Sequence, residues 1–283
     1  MALLVPALIG NNTRLNSSGG TELRGNNLNE RYTGASGASV QASATPHALT
    51  GTPTAVVNST DIEAEWIRIH VHGMSNTATN TNGLLNIYFG AAGSEVLVID
   101  SLAVGWAPTA DAVGLPNTYW FPMRIPRGTR ISAELRALIA SDLVRVSVEY
   151  GASNGLHWVG SGVETLGEDT ANSRGTSITP ATTGSGWTTI GTTGRRYRYI
   201  QVSCLGNNDT TAAATWLNWY LGTGSAILGH GGFMLSRIDS IEAHSFRDNG
   251  RWVDIPSGTS LQLNVYSSAA PSGLIYAMIH GVY

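Results

Sequence analysis

The sequence predicts an all-β protein that contains two copies of one β-domain, preceded by an extended N-terminal arm. Three observations support this prediction. Apolar and polar residues alternate along the predicted strands, no segment shows a convincing helical period of 3.6 residues, and the sequence repeats itself at a nearly constant spacing. Short strands that are separated by turn residues are typical of a sandwich or a barrel.

The alternation of apolar and polar residues begins after Glu65. In residues 66–72, three aliphatic residues fall on one face of the predicted strand, and an arginine and two histidines fall on the other. Residues 143–150 and 261–266 alternate in the same way, and Gly, Pro, Asn, Thr and Asp fill the turns between such segments. Residues 130–141 are nearest to a helix, but the Pro-Arg-Gly turn before them favours a strand.

The duplication is clearest in the motif Ile-Pro-x-Gly-Thr, which begins at Ile125 and again at Ile255. Three further pairs of segments keep the same order and nearly the same spacing: 69–71 with 200–202, 86–90 with 218–222, and 144–148 with 275–279. In the motif, Pro restricts φ and Gly supplies a positive φ, so a turn shape is repeated rather than a chemistry. We predict β-sandwich domains at 46–152 and 179–283, joined by a linker at 153–178.

Residues 1–45 differ from the rest because Gly, Asn, Ser and Thr dominate them after an apolar start. Such a segment cannot bury enough apolar area by itself to offset the entropy of ordering it. We therefore predict an extended arm that lies along another surface, and a frayed terminus is the alternative. The candidate docking residues are those of its apolar tip: Leu3, Leu4, Val5, Leu8 and Ile9.

The charge composition excludes several classes of function. Charged residues make up 12% of the 283 residues, the net charge is −3, and all 16 basic residues are Arg. The absence of Lys excludes Schiff-base chemistry and a phosphate-loop lysine. Scattered Arg on a weakly acidic chain does not indicate nucleic-acid binding. With so few charges to solvate the surface, we expect neighbouring subunits to cover much of it, in a homo-oligomer.

Membrane insertion and secretion are not expected either. No apolar run reaches the roughly 18 residues that a membrane helix requires. Residues 1–9 are apolar, but they lack a basic leader and Pro6 interrupts them, so we do not expect a signal peptide. The single cysteine, Cys204, lies in an apolar run and is expected to be a small buried residue.

Candidate catalytic and metal-binding residues are few. His70 and His72 share one face of a strand and are weak metal candidates, because a site needs a third ligand. The second copy has Gln201 and Ser203 at the matching positions. A nucleophile-elbow serine works within an α/β fold, and the pattern here is all-β. We therefore expect no enzymatic activity, and we expect no metal and no cofactor. A hydrolase is a further alternative, but it needs a pocket of paired carboxylates that the sequence does not display.

The aromatic residues indicate an alternative function. Several lie within predicted strands, where core packing or subunit contact explains them: Trp66, Trp216, Trp219 and Trp252. Others lie near turns, where an exposed ring can stack on the apolar face of a sugar. These candidates for glycan stacking are Trp106, Tyr119, Trp120, Trp158 and Trp187. On this hypothesis the chain is a carbohydrate-binding module.

Residues 84–95, and residues 119–131 followed by 144–148, resemble the β-rich virion structural proteins of tailed bacteriophages. The resemblance covers most of the first copy and, more weakly, the second. It implies jelly-roll-like domains on the exterior of the virion, in tail, fibre or capsid-decoration positions, often as trimers. It implies other virion proteins as partners and no catalytic residues. The leading hypothesis is a non-enzymatic virion protein attached through its arm; the alternative is a carbohydrate-binding module that recognises a host surface glycan during adsorption.

Overall fold

The computed structural model describes residues 23–24, 30–33, 37–74, 81–106, 117–152, 156, 158–206, 215–223, 226–235, 245–247, 250–268 and 274–283. These residues form twenty β-strands and no helix, so the prediction of an all-β protein is confirmed. Accordingly, no helix within these ranges is long and apolar enough to span a bilayer. The five predicted docking residues, Leu3, Leu4, Val5, Leu8 and Ile9, lie outside the described residues.

The first half of the chain contains ten strands: β1 (Leu23–Arg24), β2 (Glu30–Tyr32), β3 (Ala38–Gln41), β4 (Thr54–Val57), β5 (Trp66–Met74), β6 (Thr81–Gly90), β7 (Val96–Trp106), β8 (Asn117–Phe121), β9 (Arg130–Ala137) and β10 (Leu143–Gly151).

The second half contains the other ten: β11 (Val163–Leu166), β12 (Thr176–Ile178), β13 (Thr188–Thr192), β14 (Tyr197–Gly206), β15 (Thr215–Gly222), β16 (Ile227–Leu235), β17 (Ser245–Arg247), β18 (Arg251–Ile255), β19 (Ser260–Ser267) and β20 (Ile275–Val282).

Strands β2 to β10 form the first sandwich. In one layer, β10 pairs with β2 and β3 on one side and with β5 on the other, and β8 follows β5. The second layer has the order β4-β9-β6-β7, and all these pairings are antiparallel. The alternation in the sequence predicts correctly which face of β5 points inward: Ile67, Ile69 and Val71 are buried in the core between the layers.

Strands β11 to β20 form the second sandwich, which repeats this topology. One layer contains β20 with β11 and β12 on one side and β14 on the other, and β17 and β18 take the place of β8. The other layer has the order β13-β19-β15-β16. This order of eight main strands in two layers is that of a jelly roll. Cys204 is buried in the core of this sandwich, as predicted.

The repeated Ile-Pro-x-Gly-Thr motif forms a turn before β9 and before β19. Its glycines, Gly128 and Gly258, have φ values of +84° and +81°. An L side chain rarely adopts this backbone conformation, which explains why both copies of the turn have glycine there. The structure therefore confirms that the motif repeats a backbone shape.

The two sandwiches share one sheet, and β11 connects them. β11 pairs antiparallel with β20 and makes a parallel bridge from Val163 to Ile99 of β7. A small apolar cluster packs beside this junction, with members from both sandwiches: Leu84, Ala103, Leu205, Tyr276 and Met278. Apolar burial and sheet pairing thus hold the two halves together.

Several strands lie in the segments predicted to be the arm and the linker. β2 and β3, within residues 1–45, pair with β10 of the same chain, and Val40 is buried in the first core. β11 and β12, within residues 153–178, take the equivalent places beside β20. The repeat in the structure therefore includes these two pairs of strands, while the domain bounds stated above stay predictions.

Candidate functional site

Four aromatic side chains meet where the two sandwiches join, and we call them the aromatic cluster: Trp120, Trp158, Tyr199 and Trp252. Tyr199 lies at its centre, with its ring centroid 5.3 Å from that of Trp120 and 5.4 Å from that of Trp252. Trp158, in the connection between β10 and β11, lies 6.4 Å from Trp252. All three contacts are edge to face, the favoured geometry for aromatic pairs.

The cluster is buried at its centre and open at its edge. Tyr199 is 3% exposed, whereas Trp252 is 50% exposed and is one of the few large apolar side chains among the described residues that face solvent. Trp120 and Trp158 are half-buried. The buried tyrosine ring thus supports tryptophan rings that solvent can reach.

Trp120 and Trp252 hold equivalent positions in the two sandwiches. Trp120 on β8 lies directly opposite Arg68 on β5, and Trp252 on β18 lies directly opposite Tyr199 on β14. Because residues 69–71 match 200–202 in the repeat, Arg68 corresponds to Tyr199. The duplication has therefore brought two equivalent tryptophans onto one tyrosine.

Charged side chains flank the cluster on the first sandwich. Arg68 Nη1 lies 2.5 Å from Glu149 Oε2, and His70 Nε2 lies 3.1 Å from Glu149 Oε1. Burial alone would raise the pKa of Glu149, but the neighbouring His70 ring and Arg68 guanidinium outweigh it and lower the pKa. Glu149 is therefore an ionised carboxylate at neutral pH.

A second charged group flanks the cluster on the second sandwich. Asp254 follows Trp252 by two residues on β18, and both side chains are exposed. Arg196 donates two hydrogen bonds of 2.6 Å to Asp254, and Arg198 lies 3.5 Å from it. The hydrogen bonds from Arg196 lower the pKa of Asp254. Each exposed side of the aromatic cluster thus has an arginine–carboxylate pair nearby.

The structure brings together two of the five predicted glycan-stacking residues, Trp120 and Trp158. Tyr119 is fully buried, and its hydroxyl donates a hydrogen bond of 2.6 Å to the carbonyl oxygen of Ala103, so its ring presents no face to solvent. Trp187 is 37% exposed but lies beside Gly222, away from the cluster. Of Trp106, the structure describes only the backbone, at the end of β7.

Sequence reasoning placed Trp252 among the strand residues expected in the core or an interface. Its exposed ring could have been suspected from the repeat, because the spacing between Trp120 and Trp252 matches that of the other repeated segments. Nothing in the sequence distinguishes Tyr199 from other residues of an alternating strand. Its place in the cluster depends on contact between the two sandwiches.

His70 and His72 share one face of β5, as their spacing predicts, with ring centroids 6.4 Å apart. Their other partners are hydroxyl groups: His70 Nδ1 lies 2.9 Å from Thr118 Oγ1, and His72 Nε2 lies 3.1 Å from Ser147 Oγ. Burial, and then the charge of His70, lower the pKa of His72. In the part of the chain that the structure describes, no group of three or more His, Cys, Asp or Glu side chains is arranged to hold a metal ion.

His280 is a fully buried histidine that sequence reasoning did not single out. Its Nδ1 lies 2.9 Å from Thr165 Oγ1 and its Nε2 lies 2.7 Å from Ser203 Oγ, and the rings of Tyr119 and Phe121 pack edge to face against it. Burial lowers the pKa of His280 to about 3, so the imidazole is neutral at neutral pH. Because Ser203 and His280 are both 0% exposed, this pair has no access to a substrate. The His280 ring instead packs against the first sandwich, through Tyr119 and Phe121 of β8.

Comparison with known proteins shows no family. No family model and no curated protein matches this chain. The solved structures with detectable similarity include the PBSX exported protein XepA, at 10% identity over 96% of this chain and 98% of the other, with a TM-score of 0.22. They also include the N-terminal CBM22-1–CBM22-2 tandem domain of Xyn10C from Paenibacillus barcinonensis, at 11% identity over 90% and 87%, also with a TM-score of 0.22. These scores carry no argument about function.

Proposed function

We propose that this chain is a non-enzymatic protein that binds carbohydrate, and that the aromatic cluster is its contact surface. The observation that carries the proposal is the exposure of Trp252, half of whose surface is open beside Trp158 and the buried Tyr199. The ring of a tryptophan matches the apolar face of a sugar ring in shape and polarity. Charged groups on the first-sandwich side of the cluster, Arg68 and Glu149, supply donors and acceptors for hydroxyl groups.

The packing of the cluster favours binding without reorganisation. The edge-to-face contacts around Tyr199 hold the indoles in place before a ligand arrives. A rigid ring loses little conformational entropy on binding, so more of the contact energy contributes to affinity.

A glycan array, followed by calorimetric titration with the glycan that binds, tests this proposal. We expect Trp252→Ala and Trp120→Ala to abolish binding while both variants stay folded. The matched control is Trp187→Ala, which removes another partly exposed tryptophan of the second sandwich outside the cluster. An intact protein that binds no glycan, or binding that survives Trp252→Ala, would contradict the proposal.

A second proposal is that the chain is a structural protein on the exterior of a phage virion, a setting in which glycan binding would serve adsorption to the host. One observation favours an assembled state. Val96 and Leu97 at the start of β7 are 65% and 41% exposed, and the equivalent Ile227 and Leu228 of β16 are 62% and 36% exposed. Exposed apolar side chains at the same place in both sandwiches are typical of a surface that another subunit covers. Other virion proteins and further copies of this chain, as a trimer, are the proposed partners.

Truncation of the arm tests the second proposal. Because β2 and β3 belong to the first sandwich, the deletion should stop at residue 22 and leave every described strand in place. We expect the shortened chain to fold but to be absent from particles, and light scattering of the intact chain to give the mass of a trimer. Particles that carry the shortened chain at normal occupancy would refute attachment through the arm.

A further inference from the structure

We propose that Arg68 and Glu149 form the polar half of the carbohydrate site, and that the ligand is a neutral oligosaccharide rather than an acidic one. This inference rests on the proposed carbohydrate function, because it assigns the groups that would contact hydroxyls beside the aromatic cluster.

The sheet register places these groups in one row. On β5, Arg68 lies directly opposite Trp120 of β8 on one side and directly opposite Glu149 of β10 on the other. Side chains directly opposite each other on one face have Cβ atoms about 5 Å apart. Ile67 and Ile69 on either side of Arg68 are buried in the core, so the row lies on the outer face of the sheet. A ligand stacked on Trp120 therefore meets Arg68 next.

The charged pair is held in place from several directions. Glu149 Oε2 contacts Arg68 and Oε1 contacts His70, and the Arg68 guanidinium lies 5.7 Å from the centroid of the Trp66 ring. The Arg68 side chain is 42% exposed, and the Glu149 and His70 side chains are 20% and 21% exposed. A guanidinium has five N–H donors and a carboxylate accepts several hydrogen bonds, so the pair can both donate to and accept from a hydroxyl group.

The charges favour a neutral ligand. The positive charge of Arg68 is already compensated by Glu149, which is ionised at neutral pH. A uronic or sialic acid stacked on Trp120 would place its carboxylate on Arg68, the next residue in the row, whose charge Glu149 already compensates from the other side. The Glu149 carboxylate would repel this second negative charge. A neutral hydroxyl carries no such penalty, and it uses both the donor and the acceptor of the pair.

The second arginine–carboxylate pair provides a matched control. Arg196 and Asp254 lie near the exposed Trp252, but their side chains are 57% and 50% exposed, so water competes for their hydrogen bonds. Exposed pairs of this kind contribute little to binding or stability. Equivalent substitutions in the two pairs therefore show whether a loss of affinity comes from a specific contact with the ligand or from any loss of charge near the cluster.

The experiment uses the full chain and two sets of oligosaccharides of equal length. The neutral set consists of glucose, galactose and mannose polymers, and the acidic set consists of galacturonate and sialic acid polymers. Affinities are measured by calorimetry for the unaltered chain and for Glu149→Gln, Arg68→Gln, Asp254→Asn and Arg196→Gln, with thermal unfolding as the check on folding. We expect a neutral oligosaccharide to bind, and Glu149→Gln and Arg68→Gln each to weaken it by about tenfold or more. We expect the two control variants to leave the affinity unchanged.

Three results would overturn the inference. The first is tighter binding of an acidic oligosaccharide than of any neutral one. The second is that the Glu149→Gln and Asp254→Asn variants bind with equal affinity while Trp252→Ala still abolishes binding. That result would leave the proposed function intact and would contradict only the assignment of Arg68 and Glu149 to the site. The third is no binding of either set, which would overturn the proposed function together with the inference.

Discussion

Thr60 and Thr193 make the same hydrogen bonds in the two sandwiches. The Thr60 hydroxyl donates to the carbonyl oxygen of Pro126 at 2.8 Å and accepts from the backbone N–H of Thr129 at 3.0 Å. The Thr193 hydroxyl makes the equivalent two bonds, at the same two distances, to Pro256 and Thr259. Each threonine therefore connects the strand before it to the repeated Ile-Pro-x-Gly-Thr turn, and the duplication preserved the whole arrangement.

We expect Thr60→Val and Thr193→Val each to lower the free energy of unfolding by about 1–3 kcal/mol. Valine fills the same volume but removes the hydroxyl that accepts from the threonine N–H of the turn. It also removes one of the two hydroxyls that donate to the proline carbonyl, and the other, from Thr129 or Thr259, remains. Both threonines are 2% exposed, so water cannot easily replace the lost hydroxyl. Urea unfolding measures the effect, with the exposed Thr183→Val as the control. Loss of stability in one sandwich only would show that the two turns are not energetically equivalent.

Alanine at either turn glycine should destabilise the protein through backbone strain alone. A Cβ at Gly128 or Gly258 would meet no atom within 4 Å, so there is no steric clash with neighbours. The positive φ nevertheless costs an L residue about 1–2 kcal/mol. Asparagine tolerates this conformation better, so Gly128→Asn should lose less stability than Gly128→Ala in the same thermal unfolding experiment. Equal losses for the two variants would point to a cause other than φ.

His280 should make the protein less stable as the pH falls. Its folded-state pKa is lowered to about 3 from an ordinary 6.5, so between these values the unfolded chain binds a proton that the folded chain does not. The free energy of unfolding that depends on neutral His280 is fully present above about pH 6.5. It decreases between pH 6.5 and pH 3, by up to about 1.4 kcal/mol per pH unit. Urea unfolding between about pH 6.5 and pH 5, above the range in which carboxylates titrate, measures this slope.

The His280→Gln variant should flatten this pH dependence. The pKa of His72 is also lowered, so His72 contributes a slope of the same sign, and His72→Asn is the matching control. We expect the His72 variant to retain the slope that is due to His280. An unchanged slope in His280→Gln would mean that the buried imidazole is not the group that titrates.

Tyr199 should matter for its ring more than for its hydroxyl in carbohydrate binding. Tyr199→Phe keeps the edge-to-face contacts with Trp120 and Trp252, so we expect it to keep the affinity. Tyr199→Ala removes the buried support of both indoles, so we expect a loss of affinity and a fall in the free energy of unfolding of about 3–5 kcal/mol. Calorimetric titration and urea unfolding on the same samples measure both effects. Normal affinity in a folded Tyr199→Ala protein would show that the indoles do not depend on this support.

The sequence was informative wherever a local rule applied. The alternation in residues 66–72 predicted which side chains of β5 are buried, and the repeated turn predicted a positive φ at two glycines. It was less informative at the first strands of each sandwich. β2, β3, β11 and β12 are short and lie among small polar residues. They are strands because the edge of β10 or β20 supplies hydrogen-bond partners that lie about a hundred residues further along the chain.

The amino-acid sequence by itself determined the all-β class, the duplication and the inward-facing residues of the long strands, because periodicity and turn chemistry act over a few neighbouring residues. Only the tertiary structure decided that Trp120 and Trp252 meet on Tyr199, that Tyr119 is buried, and that His280 lies between a serine and a threonine. These contacts depend on how one sandwich packs against the other, and no local pattern along the chain encodes that geometry.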